Sequence, residues 1–137
     1  MKKVAIIGAG ISGLFIANLL KRNPNYQVTI YEKNTSVSLE EGYGVQLSVN
    51  SIKLLNKIGF EELRNNEKYN PEKINFYAIK NSTKICELDI SDFNLENCKY
   101  TTLKRSSLVK FLNRDLVDII KTDHNISKID QIDKHIK

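Results

Sequence analysis

The chain has no tryptophan, two cysteines, two prolines and two histidines among its 137 residues. Cys86 and Cys98 fall in neither a CxxC nor a Cys/His spacing, and His124 and His135 lie far along the chain from either. Lone thiols and distant histidines argue against a metal cluster and against a disulfide framework, and they point to a reducing cytoplasm. No block of five or more like charges occurs. The net charge of +5 comes from scattered lysines, so the clustered basic element of a nucleic-acid binder is missing, while an anionic small ligand is compatible. Neither a transmembrane segment nor a leader is expected. The apolar stretch from Val4 to Leu20 follows Lys2 and Lys3, but it holds Gly8, Gly10, Ser12, Gly13 and Asn18, and no small-x-small site precedes Lys21. There is no internal repeat and no low-complexity linker.

What is present is the composition of a soluble globular domain, or part of one, at 41% hydrophobic and 27% charged. Val4-Ala5-Ile6-Ile7 is an unbroken apolar run of the kind a strand buried on both faces requires. Leu14 to Arg22 reads as a helix, broken at Asn23-Pro24-Asn25, and Gln27 to Tyr31 reads as a second strand ending at Glu32. This is a βαβ unit. A polar loop, Thr35 to Gly44, follows, then a short extended piece from Val45 to Leu47. A helix from Asn50 to Ile58 carries Ile52, Leu54, Leu55 and Ile58 on one face, with Gly59 placed for a left-handed cap. Lys73 to Lys80 and Thr83 to Ile90 predict an antiparallel hairpin turning at Asn81-Ser82. A further strand is expected at Tyr100 to Leu103, and a helix from Ser106 or Ser107 bearing Leu108, Phe111, Leu112, Leu116, Ile119 and Ile120. Isoleucines at 126, 129, 132 and 136 are spaced nearer to a helix than to a strand.

The chemistry is carried by Gly8-Ala9-Gly10-Ile11-Ser12-Gly13, which follows a strand, opens a helix and is answered by Glu32, 19 residues after Gly13. Gly8 permits a tight turn, Gly10 lets a pyrophosphate approach the backbone, and Gly13 allows close helix–strand packing. The helix start at Ile11-Ser12 turns free N–H groups and a positive dipole end toward that anion. Glu32 can accept hydrogen bonds from a ribose diol, and its charge disfavours a 2′-phosphate. The dinucleotide is therefore FAD or NAD(H) rather than NADP(H). A plain NAD domain would continue with another α/β repeat to a third parallel strand. Here a long loop, a Gly-x-Gly turn, a helix and a hairpin come instead.

Three stretches together resemble the single-component flavin-dependent aromatic hydroxylases, relatives of the salicylate, p-hydroxybenzoate and kynurenine hydroxylases. They are Val4 to Lys33; Glu41-Gly42-Tyr43-Gly44-Val45-Gln46-Leu47-Ser48-Val49-Asn50 with the following Leu54-Leu55 and Ile58-Gly59-Phe60; and Leu103-Lys104-Arg105-Ser106-Ser107-Leu108 with Leu112. The second is similar to that family's E-x-G-x-G-I-x-L-x-P-N-A segment and the third to its H-R-x-x-L-x-x-x-L helix start. The resemblance implies an α/β, Rossmann-like FAD/NAD(P)-binding domain, incomplete, with a βαβ start and an inserted antiparallel hairpin. It implies that the three glycines, Ile11 and Ser12 line the pyrophosphate and that Glu32 with Lys33 holds the adenosine ribose. Val45 would lie on the flavin side, and Arg105 would reach the ribityl or phosphate part of FAD. It also implies NAD(P)H as a transient co-substrate and a small aromatic substrate. The flavin itself is the reactive species, so no catalytic residue and no metal ligand is assigned.

The sequence departs from that family at Val49, where proline is usual, at Lys104, where histidine is frequent, and at Glu40, in a region that often carries a basic residue. The family's later Asp-Gly and Gly-Asp cofactor motifs do not occur. Residues 1–137 are therefore expected to be an N-terminal, truncated part of an FAD-binding domain, inactive alone, whose hairpin at about 73–90 belongs to the substrate-side sheet. Two alternatives share the first fingerprint. One is another FAD-dependent oxidoreductase, of the amine oxidase or reductase type, and the other is a non-catalytic dinucleotide-binding module. No feature speaks to oligomeric state.

Overall fold

A computed structural model of the chain describes residues 1–37, 42–132 and 135–136. In chain order the elements are β1 (Lys2–Ile7), α1 (Ile11–Lys21), β2 (Tyr26–Tyr31), β3 (Gly44–Leu47), α2 (Val49–Asn56), β4 (Lys68–Tyr69) and β5 (Lys73–Tyr77). They continue with β6 (Lys84–Asp89), β7 (Thr101–Lys104), α3 (Arg105–Asn113), β8 (Ile120–Lys121), β9 (Gln131–Ile132) and β10 (His135–Ile136). Two compact units are formed, Met1–Glu40 with Leu112–Lys137, and Glu41–Phe111.

The first unit is built on a parallel sheet of order β1-β2-β8. β1 and β2 run in register from Lys2↔Tyr26 to Ile7↔Tyr31, and α1 is their crossover. α1 turns Leu14 and Ala17 fully inward, and the central strand β2 buries Val28 and Ile30. The helix stops where expected, with the Asn23 N–H donating to the Leu20 carbonyl just before Pro24. Asn18 is the buried polar residue of this helix. Its Nδ2 donates to the Leu14 carbonyl at 2.9 Å and to the Leu112 carbonyl at 2.7 Å, so it takes up a carbonyl that the end of α3 leaves over.

Three expectations change in this unit. The apolar run of β1 is covered on one face only, since Val4 and Ile6 are half-buried while Ala5 and Ile7 are exposed, Ile7 at 57%. The last helix does not reach Ile120. It ends at Asn113, Val117–Ile119 forms a 3₁₀ turn, and Ile120 pairs with Ile30 in β8. The β-branched Ile120 suits an extended strand better than a helix end. The third parallel strand is thus present, reached only after the inserted second unit. Finally, the isoleucine spacing near the C-terminus forms no helix among the described residues. β9 pairs antiparallel with β10, and Ile126 and Ile129 are exposed, so nothing buries the stripe a short helix would need.

The second unit contains an antiparallel sheet of order β3-β7-β4 and a separate ribbon, β5-β6. α2 buries Ile52 and Leu55 and ends at Asn56, two residues short of the expected Ile58, with Lys57 as its cap; Gly59 takes the left-handed conformation expected of it, at φ +87°, just before a 3₁₀ turn, Phe60–Glu62. Phe60, 2% exposed, meets Phe111 edge-on at 5.4 Å between ring centroids. The hairpin is shorter than the apolar runs suggest. Its strands separate after Tyr77, and the tip spans 78–83, closed by the Ala78 N–H on the Thr83 carbonyl and by a left-handed Ser82. One ribbon face sets Ile74 and Phe76 opposite Leu88 and Cys86; on the other, Lys73 and Lys84 both pair with Glu87. Among the described residues no helix is long and apolar enough to cross a membrane.

Candidate functional site

The glycine-rich loop leaves β1 at Ile7 and enters α1 at Ile11, at the carboxyl end of the sheet, where open α/β sheets bind their ligands. Its three glycines are required for different reasons. Gly8 has φ +96° while its N–H donates to the Tyr31 carbonyl at 2.8 Å, a conformation that a side chain would strain. A Cβ on Gly13 would stand 2.1 Å from the Gly8 carbonyl oxygen and 3.3 Å from Ile6 Cγ2, so helix and strand approach too closely for any side chain. Gly10 is unlike both. Its φ is −78°, and a Cβ there would meet nothing within 4 Å. Neither backbone nor packing demands glycine at position 10. Open space beside it is what glycine keeps there.

The start of α1 fits an anion. The first intrahelical bond runs from the Leu14 N–H to the Gly10 carbonyl, and the amides of Ile11, Ser12 and Gly13 have no hydrogen-bond partner among the described residues. Gly10, at the N-cap, supplies no side-chain acceptor, and the first turn holds no acid to offset the dipole. Ser12 and Gly10 are exposed at this end of the helix.

Glu32 closes the site from β2. It is only 8% exposed, and each carboxylate oxygen accepts one backbone N–H: Ala9 on Oε2 at 2.7 Å and Asn34 on Oε1 at 3.0 Å. Burial alone would push this carboxyl up, but the Asn34 and Ala9 amides and the Lys33 charge outweigh it and hold the group below the ordinary 4.5. Its own N–H donates to the Lys121 carbonyl and its carbonyl accepts the His124 N–H, both at 2.9 Å. The turn after β8 therefore grips this residue, with the Asp123 N–H on the Asn34 carbonyl and the His124 ring 5.7 Å from that of Tyr31. Sequence reasoning missed Asp123 and His124, because no motif marks a two-residue strand. A carboxyl held below its unfolded value stabilises fully above that value and loses the contribution as pH falls through the folded one. Urea unfolding is therefore expected to show a loss of stability between pH 5 and pH 3 that is larger in the wild-type chain than in Glu32→Gln; equal losses would remove Glu32 from the account.

In the second unit, β3 pairs with β7 so that Gly44 faces Lys104 and Val45 faces Leu103. The next step along brings the Arg105 N–H onto the Tyr43 carbonyl at 3.1 Å. Gly42 has φ +103°, and a Cβ there would lie 2.6 Å from Arg105 Cδ. The Gly-x-Gly turn and the Arg105 segment, about 60 residues apart in sequence, thus adjoin at one end of this sheet. Arg105 is half-buried at the first position of α3, where the helix dipole disfavours a cation. Val45 is half-buried and Lys33 exposed. Glu40 and Glu41 lie outside the described residues. The glycines, Ile11, Ser12, Glu32 and Lys33 are in the first unit, and Val45 and Arg105 are in the second.

Residues 6–40 match the family described as the NAD(P)-binding Rossmann-like domain. The chain is 25% identical over 120 residues to 6-hydroxynicotinate 3-monooxygenase of Pseudomonas fluorescens, an alignment covering 86% of this chain and 31% of that protein. Among solved structures, p-nitrophenol 4-monooxygenase PnpA from Pseudomonas putida DLL-E4 is similar at a TM-score of 0.82 and 17% identity, over 99% of this chain and 36% of the other. HpxO of Klebsiella pneumoniae, complexed with FAD and uric acid, is similar at a TM-score of 0.79 and 15% identity, over 98% and 34%. The chain spans about a third of the length of the curated relatives it matches, their N-terminal third. Its mixed α/β, Rossmann-like fold is shared with about a third of the length of each of these solved structures.

Proposed function

We propose that the chain is the FAD-binding part of a flavoprotein that hydroxylates a small aromatic molecule with NAD(P)H and oxygen. The glycine-rich loop alone suits any adenine dinucleotide. What favours the flavin reading is the β3–β7 pairing, which sets Gly42-Tyr43-Gly44 against Arg105. The open first turn of α1 receives the pyrophosphate through the Ile11, Ser12 and Gly13 amides, and Gly10 leaves it room. Glu32 accepts from the ribose hydroxyls and repels a 2′-phosphate, with Lys33 beside it. Val45 and Arg105 hold the ribityl or flavin portion, for which a fixed cation with five donors is suited. FAD, when bound, supplies the redox and oxygen-transfer chemistry. The chain's own residues bind and orient it and contribute no acid, base or nucleophile.

The apolar face of the β5-β6 ribbon, with Phe76 and Leu88 each 49% exposed, fits a sheet that covers the substrate. The relatives named for 6-hydroxynicotinate and p-nitrophenol support a small, hydroxyl-bearing aromatic ring as that substrate. Free Cys86 and Cys98 suit a reducing, cytoplasmic setting.

The test is a pair of titrations, FAD and ADP, against the wild-type chain and Arg105→Ala. Loss of a charged hydrogen-bond donor is expected to weaken FAD by about tenfold or more while leaving ADP within about twofold. Equal affinities for FAD and ADP, with no effect of the substitution, would instead make the chain a plain dinucleotide-binding module.

A further inference from the structure

We propose that Glu32 is also the latch of the glycine-rich loop: by accepting the Ala9 N–H it presets the loop backbone for a pyrophosphate, separately from receiving the ribose. This rests on the dinucleotide reading above and adds to it a role toward the phosphates.

The geometry makes the case. Ala9 is 6% exposed and Glu32 is 8% exposed, so the 2.7 Å bond between them is shielded from water and is charge-assisted. Ala9 stands between two glycines, the most conformationally free residues. The loop's other ties are the Gly8 N–H on the Tyr31 carbonyl at its near end and the Leu14 N–H on the Gly10 carbonyl at its far end. Without the carboxylate, the Ala9 amide would be buried and unpaired, and the loop could relieve that only by turning the peptide toward water. The latch itself is rigid. The Glu32 main chain is bonded on both sides, to Lys121 and His124, and Oε1 is occupied by the Asn34 amide. A carboxylate offers about four acceptor positions, so two remain for a ribose diol and the two roles do not compete.

The two roles are separable by a ligand without the diol. Glu32→Gln can accept at only one of the two oxygen positions and turns its NH₂ toward the other donor. Glu32→Asp keeps the charge but is one methylene short. It can still hold Asn34, two residues along, and no longer reaches Ala9. ADP and 2′,3′-dideoxy-ADP are titrated against the wild-type chain and both variants, and the Ala9 amide is followed by ¹⁵N NMR in the same samples. The expected result is that both variants bind dideoxy-ADP about tenfold more weakly. Charge alone predicts the opposite for Glu32→Gln, since a negative group near the phosphates has been removed. The Ala9 amide resonance of the ligand-free wild-type chain is further expected to move with the Glu32 titration and to lose that dependence in Glu32→Gln. Variants that bind dideoxy-ADP as well as or better than wild type overturn the latch and leave Glu32 a ribose ligand only. If neither nucleotide binds the wild-type chain, the dinucleotide reading falls. The latch is then decided by Ala9 amide exchange, with acceleration in both variants supporting it and unchanged exchange overturning it.

Discussion

Replacing Gly13 by alanine is expected to destabilise the first unit by about 3 kcal/mol, the upper end of what overpacking usually costs. The added Cβ would stand 2.1 Å from the Gly8 carbonyl oxygen. That oxygen belongs to backbone, and its residue is held by the bond from the Gly8 N–H to Tyr31. No rotamer change relieves such a contact, so α1 must move off β1, taking Leu14 and Ala17 out of their fully buried positions. Against a total stability of about 5–15 kcal/mol for an ordinary domain, that is a large fraction. Urea unfolding read by far-UV circular dichroism would show it as a lower midpoint. An unchanged midpoint would mean that helix and strand do not approach as described.

Gly10→Ala is expected to behave in the opposite way. Its backbone is ordinary and its Cβ meets nothing, so the unfolding midpoint should stay within about 0.5 kcal/mol of wild type, as at other unencumbered positions. Binding is where it should fail. The methyl would occupy the space through which a pyrophosphate reaches the Ile11, Ser12 and Gly13 amides, and about a hundredfold loss of affinity for ADP and for FAD is expected, roughly two charge-assisted hydrogen bonds. A variant that folds and binds like wild type would show that the phosphates do not enter over Gly10. The two glycines, three residues apart, thus separate folding from binding.

The sequence showed most where the physics is local. The Gly8-to-Glu32 unit was legible because turn, helix start and acid follow one another within a single βαβ crossover. Gly59 was legible because a helix end writes its own signature in one residue. The hairpin's strands were found, but not the point at which they part, since apolar residues such as Ile79 continue past the last pairing. Non-local features were hidden. Ile120–Lys121 is a strand only because Ile30 and Tyr31 lie beside it, some 90 residues earlier, and two residues carry no periodicity. The exposed face of β1 could not be read from Val4-Ala5-Ile6-Ile7, because an apolar run does not say whether both faces of its sheet are covered. The Glu32–Ala9 bond was hidden for a further reason, since a backbone amide has no residue type by which to be recognised.

FAD binding by this chain is the proposal on which the rest depends. A ¹⁵N NMR titration of the chain with ADP and then with FAD tests it most directly. ADP is expected to perturb the amides of Gly8 to Gly13 and of Glu32 to Asn34. FAD is expected to add perturbations at Gly42 to Val45 and at Arg105. A folded chain whose spectrum responds to neither ligand, or responds alike to both with the Gly42 to Val45 amides unmoved, would contradict it.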